Sequence, residues 1–423
     1  MPKPHMQKPE TIRVFGSAGS ASAYAIRDFL HRSLLPFEWI EVRNAGEIYT
    51  AHHFDCPRHL KLPICMFSDG TCLENPTSAQ ILEHIGWLIQ PSHEMYDLAI
   101  YGGGPAGLSA AVYGASEGLR TVLIERYAVG GQAGSSSRIE NYLGFPKGIS
   151  GADLAEKARE QACKFGAEIL MTREGTGAER LNTHGIGILS DGSRIAARAA
   201  ICATGVHYRR LGLEGEERLI GAGVYYGAGS SEATLCHGEE VIVVGGGNSA
   251  GQAAMHFARY ACKVSIVIRG LGLKETLSDY LLQRIATEPN VHVITQTVIA
   301  GLEGDDTLRE VELKNVASGE LRKVQTRWLF ICIGGEPQTA WASNVGILRD
   351  DAGYILTGPD LEFAASRSLW PLARAPFYLE TSVPGLFAAG DVRHGSVKRC
   401  ASAVGEGAMA VTFVHKHLAQ LPT

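Results

Sequence analysis

Two segments of this chain, DLAIYGGGPAGLSAAVYGA (97–115) and VIVVGGGNSAGQAAMHFA (241–258), repeat one device. Each runs from a short apolar strand through a cluster of glycines into a helix-forming stretch. In the first, Gly102, Gly104 and Gly107 fit G-x-G-x-x-G, and a following strand, TVLIE (121–125), ends on Glu125. Such glycines let the backbone approach a pyrophosphate at a helix N-terminus, and an acid at the end of the next strand binds ribose hydroxyls. In the second, Gly245, Gly247 and Ala250 take the same places, and the next strand runs out at Arg269, a cation. An acid in one unit and a cation in the other suit FAD and a phosphate-bearing NADP respectively.

The expected fold class is therefore α/β, with two Rossmann-like nucleotide-binding domains. Length adds a third unit, since 423 residues exceed one ordinary domain. The 50 glycines exceed the average usage of roughly 7% and gather in clusters without a G-X-Y period. A net charge of −5 argues against nucleic acid as the main partner. No 18-residue apolar run suggests a membrane span, and MPKPHMQKPETIRVFG has no apolar signal-peptide core. Nine cysteines, no two spaced C-x-x-C, read as reduced thiols in the cytoplasm.

Residues 1–92 form the expected third unit. TIRVFGS and FEWIEV read as strands around a helix over 21–34, on which Ile26, Phe29 and Leu30 make one buried face. LPICMF follows as a strand entered through Pro63, then a turn at Asp69-Gly70 and a helix in PTSAQILEHIGWL. This order resembles a glutaredoxin-like domain of the thioredoxin fold. The resemblance places the family's C-P-Y-C on Ser20, Ala21, Ser22 and Ala23, and its cis-proline on Pro63. Serine is a weak nucleophile that forms no disulfide, so the resemblance implies a thioredoxin fold without its thiol chemistry. HHFDCPRH (52–59) brings together ligand types that suit zinc, but its spacing fits no standard pattern and no metal is expected.

After the first glycine turn come GGQAGSSSRIENYLGFP (130–146), ICATG (201–205) and PGLFAAGDVRHGSVKRCASAVGEGAMA (384–410). These motifs, in this order over roughly 95–423, resemble the two-dinucleotide-binding flavoproteins and most closely the low-molecular-weight thioredoxin reductases. The resemblance implies FAD, with the ADP half held by Gly102, Gly104, Pro105, Ala106, Gly107, Glu125 and Arg126. It puts Gly131, Gln132 and Asn141 on the flavin side, and Ala203, Thr204 and Gly205 at the adenine-side turn. Gly390 and Asp391 fall at the ribityl chain, with Arg399, Cys400 and Ala401 where a helix start faces the flavin. For the pyridine nucleotide it implies Gly245, Gly247, Asn248, Ser249, Ala250, Arg269 and Lys274. The FAD-binding domain would be discontinuous, 93–209 plus 331–423, around an NAD(P)-binding domain at 210–330. A homodimer and a rotation between these two domains are also implied.

The chain departs from the family at three places. The catalytic C-x-x-C falls inside Tyr226-Gly227-Ala228-Gly229-Ser230, where no cysteine stands. Tyr225 or Tyr226 would shape the pocket over the flavin, or serve as buried aromatics at an interface. The family's H-R-R clamp on the 2′-phosphate reads Ile268, Arg269 and Gly270, with Lys274 beyond, which leaves NADPH and NADH both open as donors. Lys398-Arg399-Cys400 replaces the family's Arg-Gln-Ala; there a cysteine at a helix N-terminus beside cations is expected to have a lowered pKa, and with Tyr226 it is the candidate for a catalytic role.

The expected function is an FAD-dependent oxidoreductase reduced by NAD(P)H that passes electrons from flavin to an acceptor without a protein disulfide. That acceptor could be a small molecule, oxygen, a quinone or a redox protein partner. The alternatives are a ferredoxin- or flavodoxin-NAD(P) reductase, a flavoenzyme independent of pyridine nucleotide, and a non-catalytic flavin sensor that docks a partner.

Overall fold

The computed structural model describes residues 10–52, 60–180, 185–227, 232–363 and 370–421. The chain folds into two compact units, one built from 1–85, 135–138 and 208–334, the other from 86–134, 139–207 and 335–423.

The first unit opens with a four-stranded mixed sheet. Ile12–Gly16 pairs parallel with Phe37–Glu41 and antiparallel with Ile64–Met66, which in turn pairs antiparallel with Cys72–Glu74. The helix Ala21–Arg32 starts at Ser20, whose hydroxyl accepts the Ala23 amide at 3.3 Å, the ordinary role of serine at a helix cap. Ile26, Phe29 and Leu30 are buried on one face, the stripe expected from their spacing. The helix Ser78–His84 begins at Thr77 in a reciprocal capping box with Gln80. The Leu62–Pro63 peptide bond is cis.

The rest of this unit is a five-stranded parallel sheet, ordered Val224–Tyr226, Trp328–Ile331, Glu240–Val244, Lys263–Val267 and Val291–Ile294. Its strands are near-continuous apolar runs because both faces are covered. The helix Asn248–Phe257 lies on one face, and a three-stranded antiparallel sheet, Thr297–Gly304, Leu308–Asn315 and Leu321–Gln325, follows in the chain.

The second unit is a mixed sheet in which Glu168–Met171, Thr121–Glu125, Tyr96–Tyr101 and Arg194–Cys202 run parallel. Gly185–Leu189 and Gly175–Arg180 continue it antiparallel, and Leu386–Ala388 pairs beside Arg194–Cys202. The helix Pro105–Ser116 packs on the 19-residue helix Cys400–Leu418. A Cβ on Gly407 would stand 2.1 Å from the Ala106 carbonyl oxygen, so only glycine permits this approach. Ser109 Oγ also donates to the Val404 carbonyl at 2.7 Å. The helix that opens on the first glycine turn and the one that opens at Cys400 are thereby locked together.

Candidate nucleotide and flavin sites

In the second unit, Tyr96–Tyr101 ends in a turn that only glycine can make. Gly102 has φ +105°, and a Cβ there would stand 2.4 Å from the Ala203 carbonyl oxygen. Gly107 sits under the same turn, where a Cβ would lie 1.9 Å from the Gly102 carbonyl oxygen. Gly104 precedes the helix and Pro105 occupies its first turn, and no side-chain cap covers the remaining amides of this N-terminus. Gly131, at φ +54°, presses its Cα face on Gly104.

Glu125 is 7% exposed, and its carboxylate accepts the amides of Gly103 at 2.7 Å and Tyr127 at 2.8 Å. It therefore stands at the mouth of the glycine turn, where a ribose hydroxyl would be met. A cavity of about 430 Å³ opens here, bordered by Gly102, Glu125, Arg126, Thr204 and His207. Burial and the neighbouring Arg126 hold His207 in its neutral form by lowering its pKa to about 4. His207 and Glu174, which also borders the cavity, were not among the expected site residues. The signal for His207 was its place three residues beyond Thr204, just after the strand Arg194–Cys202.

Of the expected flavin-side groups, Gln132 donates to the Val206 carbonyl at 2.7 Å, and Asn141 is exposed. Ala203 is buried beneath the turn, Thr204 is exposed, and Gly205 takes φ +64°. Gly390 donates its amide to Glu406 at 2.7 Å, which ties the Asp391 loop to the helix Cys400–Leu418. Burial raises the Asp391 carboxyl above its ordinary range, against the pull of the Ser396 hydroxyl and the cations of Lys398 and Arg399. Arg399 is the N-cap of that helix and Ala401 lies exposed in its first turn.

Cys400 corrects an expectation. A lowered thiol pKa was expected from the helix start and the cations beside it. Instead burial, with the negative charge of Asp391 nearby, pushes the thiol up to about 11. Desolvation of the thiolate outweighs the helix terminus here.

The first unit repeats the glycine turn. Gly245 has φ +133°, and a Cβ there would be 2.2 Å from the Cys332 carbonyl oxygen. Gly247 has nothing within 4 Å of its missing Cβ, so the turn leaves open space before the helix Asn248–Phe257. Asn248 anchors that helix start by a reciprocal pair with Ser278, both bonds at 2.8 Å. Ser249 follows it, and Ala250 is fully buried. Arg269 and Lys274 are both exposed beyond the strand Lys263–Val267.

Tyr225 is 1% exposed and stacks with Trp328 and Phe330 in the core. The Tyr226 hydroxyl donates to Glu216 and accepts the Leu211 amide, with Arg210 lying 4.5 Å over the ring. Burial and Glu216 push that phenol up to about 12. Residues 228–230 of the stretch 226–230, in which the family's thiol pair would fall, and most of the His/Cys stretch 52–59 lie outside the described residues. Among the described residues no cluster of histidine, cysteine and carboxylates suits a metal ion, and no helix is long and apolar enough to cross a membrane.

The two turns fit dinucleotides on this geometry, with a backbone close enough to be filled by any Cβ, an open helix N-terminus, and in the first unit a carboxylate at the mouth. The comparisons agree. The family model for pyridine nucleotide-disulphide oxidoreductases matches residues 96–407. Thioredoxin reductases from Peptoclostridium acidaminophilum and Bacillus subtilis are 33% and 34% identical, over 77% and 78% of this chain and 97% and 96% of their own. The crystal structure of Lactococcus lactis thioredoxin reductase superposes with TM-score 0.68 at 33% identity, covering 77% of this chain and 100% of that one. The T. acidophilum thioredoxin reductase has the same TM-score at 29% identity, with 78% and 100% covered. The fold is the α/β fold of these enzymes, with Rossmann-type FAD and NADPH domains. The family uses FAD and NADPH, and the glycine turns described here have the form such cofactors require. The chain belongs to the pyridine nucleotide-disulphide oxidoreductase family, as a thioredoxin reductase-like, FAD-dependent NAD(P)H oxidoreductase.

Proposed function

We propose that this enzyme takes reducing equivalents from NADPH or NADH and passes them from FAD directly to an acceptor, without a disulfide relay in its own chain. The observation that carries this reading is the thiol inventory. No two of the nine cysteines are spaced C-x-x-C. Cys332 and Cys236 are buried: Cys332 is pushed up to about 12 by desolvation, and Cys236 is also raised. Thiols held protonated in this way are poor nucleophiles toward a disulfide.

FAD, when bound, supplies the hydride and electron chemistry. Gly102, Gly104 and Gly107 with Glu125 hold its ADP half, Asp391 its ribityl chain, and the start of the helix Cys400–Leu418 presents amides to the flavin edge. Gly245, Gly247 and Ala250 seat the pyrophosphate of the pyridine nucleotide, with Arg269 and Lys274 at its 2′-phosphate. The enzyme acts as a homodimer in the cytoplasm, and residues 1–92 are a thioredoxin-fold domain without a C-x-x-C.

Anaerobic titration of the purified protein with NADPH and NADH, following bleaching of the visible flavin band, tests this. Reduction by one of them, followed by reoxidation with a small oxidant or quinone but not by a thioredoxin disulfide, is the expected result. Bleaching that a thioredoxin disulfide reverses at a catalytic rate would overturn it.

A further inference from the structure

Arg27, on the helix Ala21–Arg32, and Glu232, just before the short helix Ala233–Cys236, lie 205 residues apart in sequence and form a fully enclosed ion pair. Arg27 Nη2 reaches Glu232 Oε1 at 3.2 Å and Oε2 at 2.9 Å, with the two side chains 2% and 0% exposed. The guanidinium also lies 4.1 Å over the Trp39 ring, and its Nε and Nη1 have no hydrogen-bond partner among the described residues. A buried pair with idle donors adds little net stability; what it adds is a unique register. Around it, Tyr24 meets Tyr225 edge-on at 5.0 Å. A Cβ on Gly221 would fall 3.1 Å from Ala21 Cα and 2.9 Å from Tyr24 Cδ1, and one on Gly19 would fall 2.4 Å from Thr307 Cγ2. Residues 19–27 are therefore seated on the face made by residues 221–225, Glu232 and Thr307.

These contacts set the helix start at Ser20–Ala23, where the sequence resemblance finds one thiol pair missing, on residues 221–225 and Glu232, which flank in sequence the stretch where it finds the other missing. We propose that the N-terminal domain is a partner bound in cis, locked by Arg27 and Glu232 on the nucleotide-binding domain so that it closes this face to a thioredoxin-fold protein in trans. The inference rests on the reading above, in that the acceptor of the flavin electrons must then reach the protein elsewhere. The serines at the helix start have local roles, Ser20 as helix cap and in contact with the Ser22 hydroxyl at 3.0 Å.

Hydrogen exchange on the FAD-loaded full chain tests this without reference to turnover, so its outcome is separate from that of the titration above. In Arg27→Gln and in Glu232→Gln, exchange should quicken by ~tenfold or more in residues 21–32 and, together with them, in 219–227 and 233–236, while 105–116 stays unchanged. The apolar pair Arg27→Met/Glu232→Leu should restore protection, since an apolar replacement of matching volume keeps a buried contact. Gly19→Leu, which wedges the dock at Thr307 and leaves the charge pair intact, should open the same segments if the single charge variants fail to fold. A purified thioredoxin added in excess should protect 219–227 in the opened variants and leave the parent unchanged. Acceleration confined to 21–32, or protection of the parent by thioredoxin, would overturn the proposal.

Discussion

Gly102 lies against Ala203 so closely that a Cβ built on it would stand 2.4 Å from the Ala203 carbonyl oxygen, and Gly245 bears the same relation to Cys332 at 2.2 Å. In each unit the first glycine of the turn is packed against the backbone that leaves a neighbouring strand, so the turn cannot widen to admit a side chain. Gly102→Ala should therefore cost about 3 kcal/mol, from positive φ plus backbone overlap, and yield protein with little bound flavin. Urea unfolding and the flavin-to-protein absorbance ratio check this. Gly245→Ala should keep the flavin colour and lose its bleaching by NADPH. Gly247→Ala, whose added Cβ meets nothing in the protein, should fold with parental stability and weaken only nucleotide binding.

Arg269 and Lys274 are exposed beyond the strand Lys263–Val267, with no other cation of the family's clamp beside them in sequence. If they grip the 2′-phosphate, Arg269→Ala/Lys274→Ala should raise KM for NADPH by roughly tenfold and leave that for NADH unchanged. Steady-state kinetics with the two nucleotides give the answer. Equal effects on both would remove the phosphate contact.

Cys400 should behave as a protonated, packed thiol. With its pKa pushed up to about 11 from an ordinary 9.0, its thiolate fraction at neutral pH falls about a hundredfold. Alkylation by iodoacetamide, mapped by mass spectrometry, should be slow at Cys400 compared with exposed Cys262. Cys400→Ser should preserve reduction of the flavin by NADPH.

His256 sets a pH dependence of stability. Burial first, then the cations of Arg259 and His31, depress its pKa from an ordinary 6.5 to about 4. The unfolded chain thus binds a proton that the folded chain refuses between these values. Stability is full above pH 6.5 and declines as pH falls toward 4, by about 2 kcal/mol once partial exposure is allowed for. His256→Gln should flatten that part of the urea-midpoint profile. An unchanged slope between pH 7 and 4.5 would refute the assignment.

Much of the site was legible from residues alone because its chemistry is local. Gly102, Gly104 and Gly107, the strand before them, the helix after them and Glu125 lie within 30 residues of one another, and backbone sterics dictate the turn whatever surrounds it. Gln132, Asn141, Asp391 and Lys274 entered the reading only through resemblance, since nothing in their own spacing names a ligand, whereas Arg269 was read from the end of its strand. His207 escaped notice because its significance comes from a cavity wall shared with Arg126 and Glu125.

What the sequence by itself determined was the pair of dinucleotide turns, the α/β class and the lack of a C-x-x-C. Each depends on residue type at short range, where strand and helix periodicity and glycine stereochemistry act. The tertiary structure alone decided that Cys400 is desolvated rather than acidified, that the Tyr226 hydroxyl is spent on Glu216, and that Arg27 finds Glu232 across 205 residues. Burial and ion pairing are sums over neighbours that the chain brings together only on folding, and no local pattern carries them.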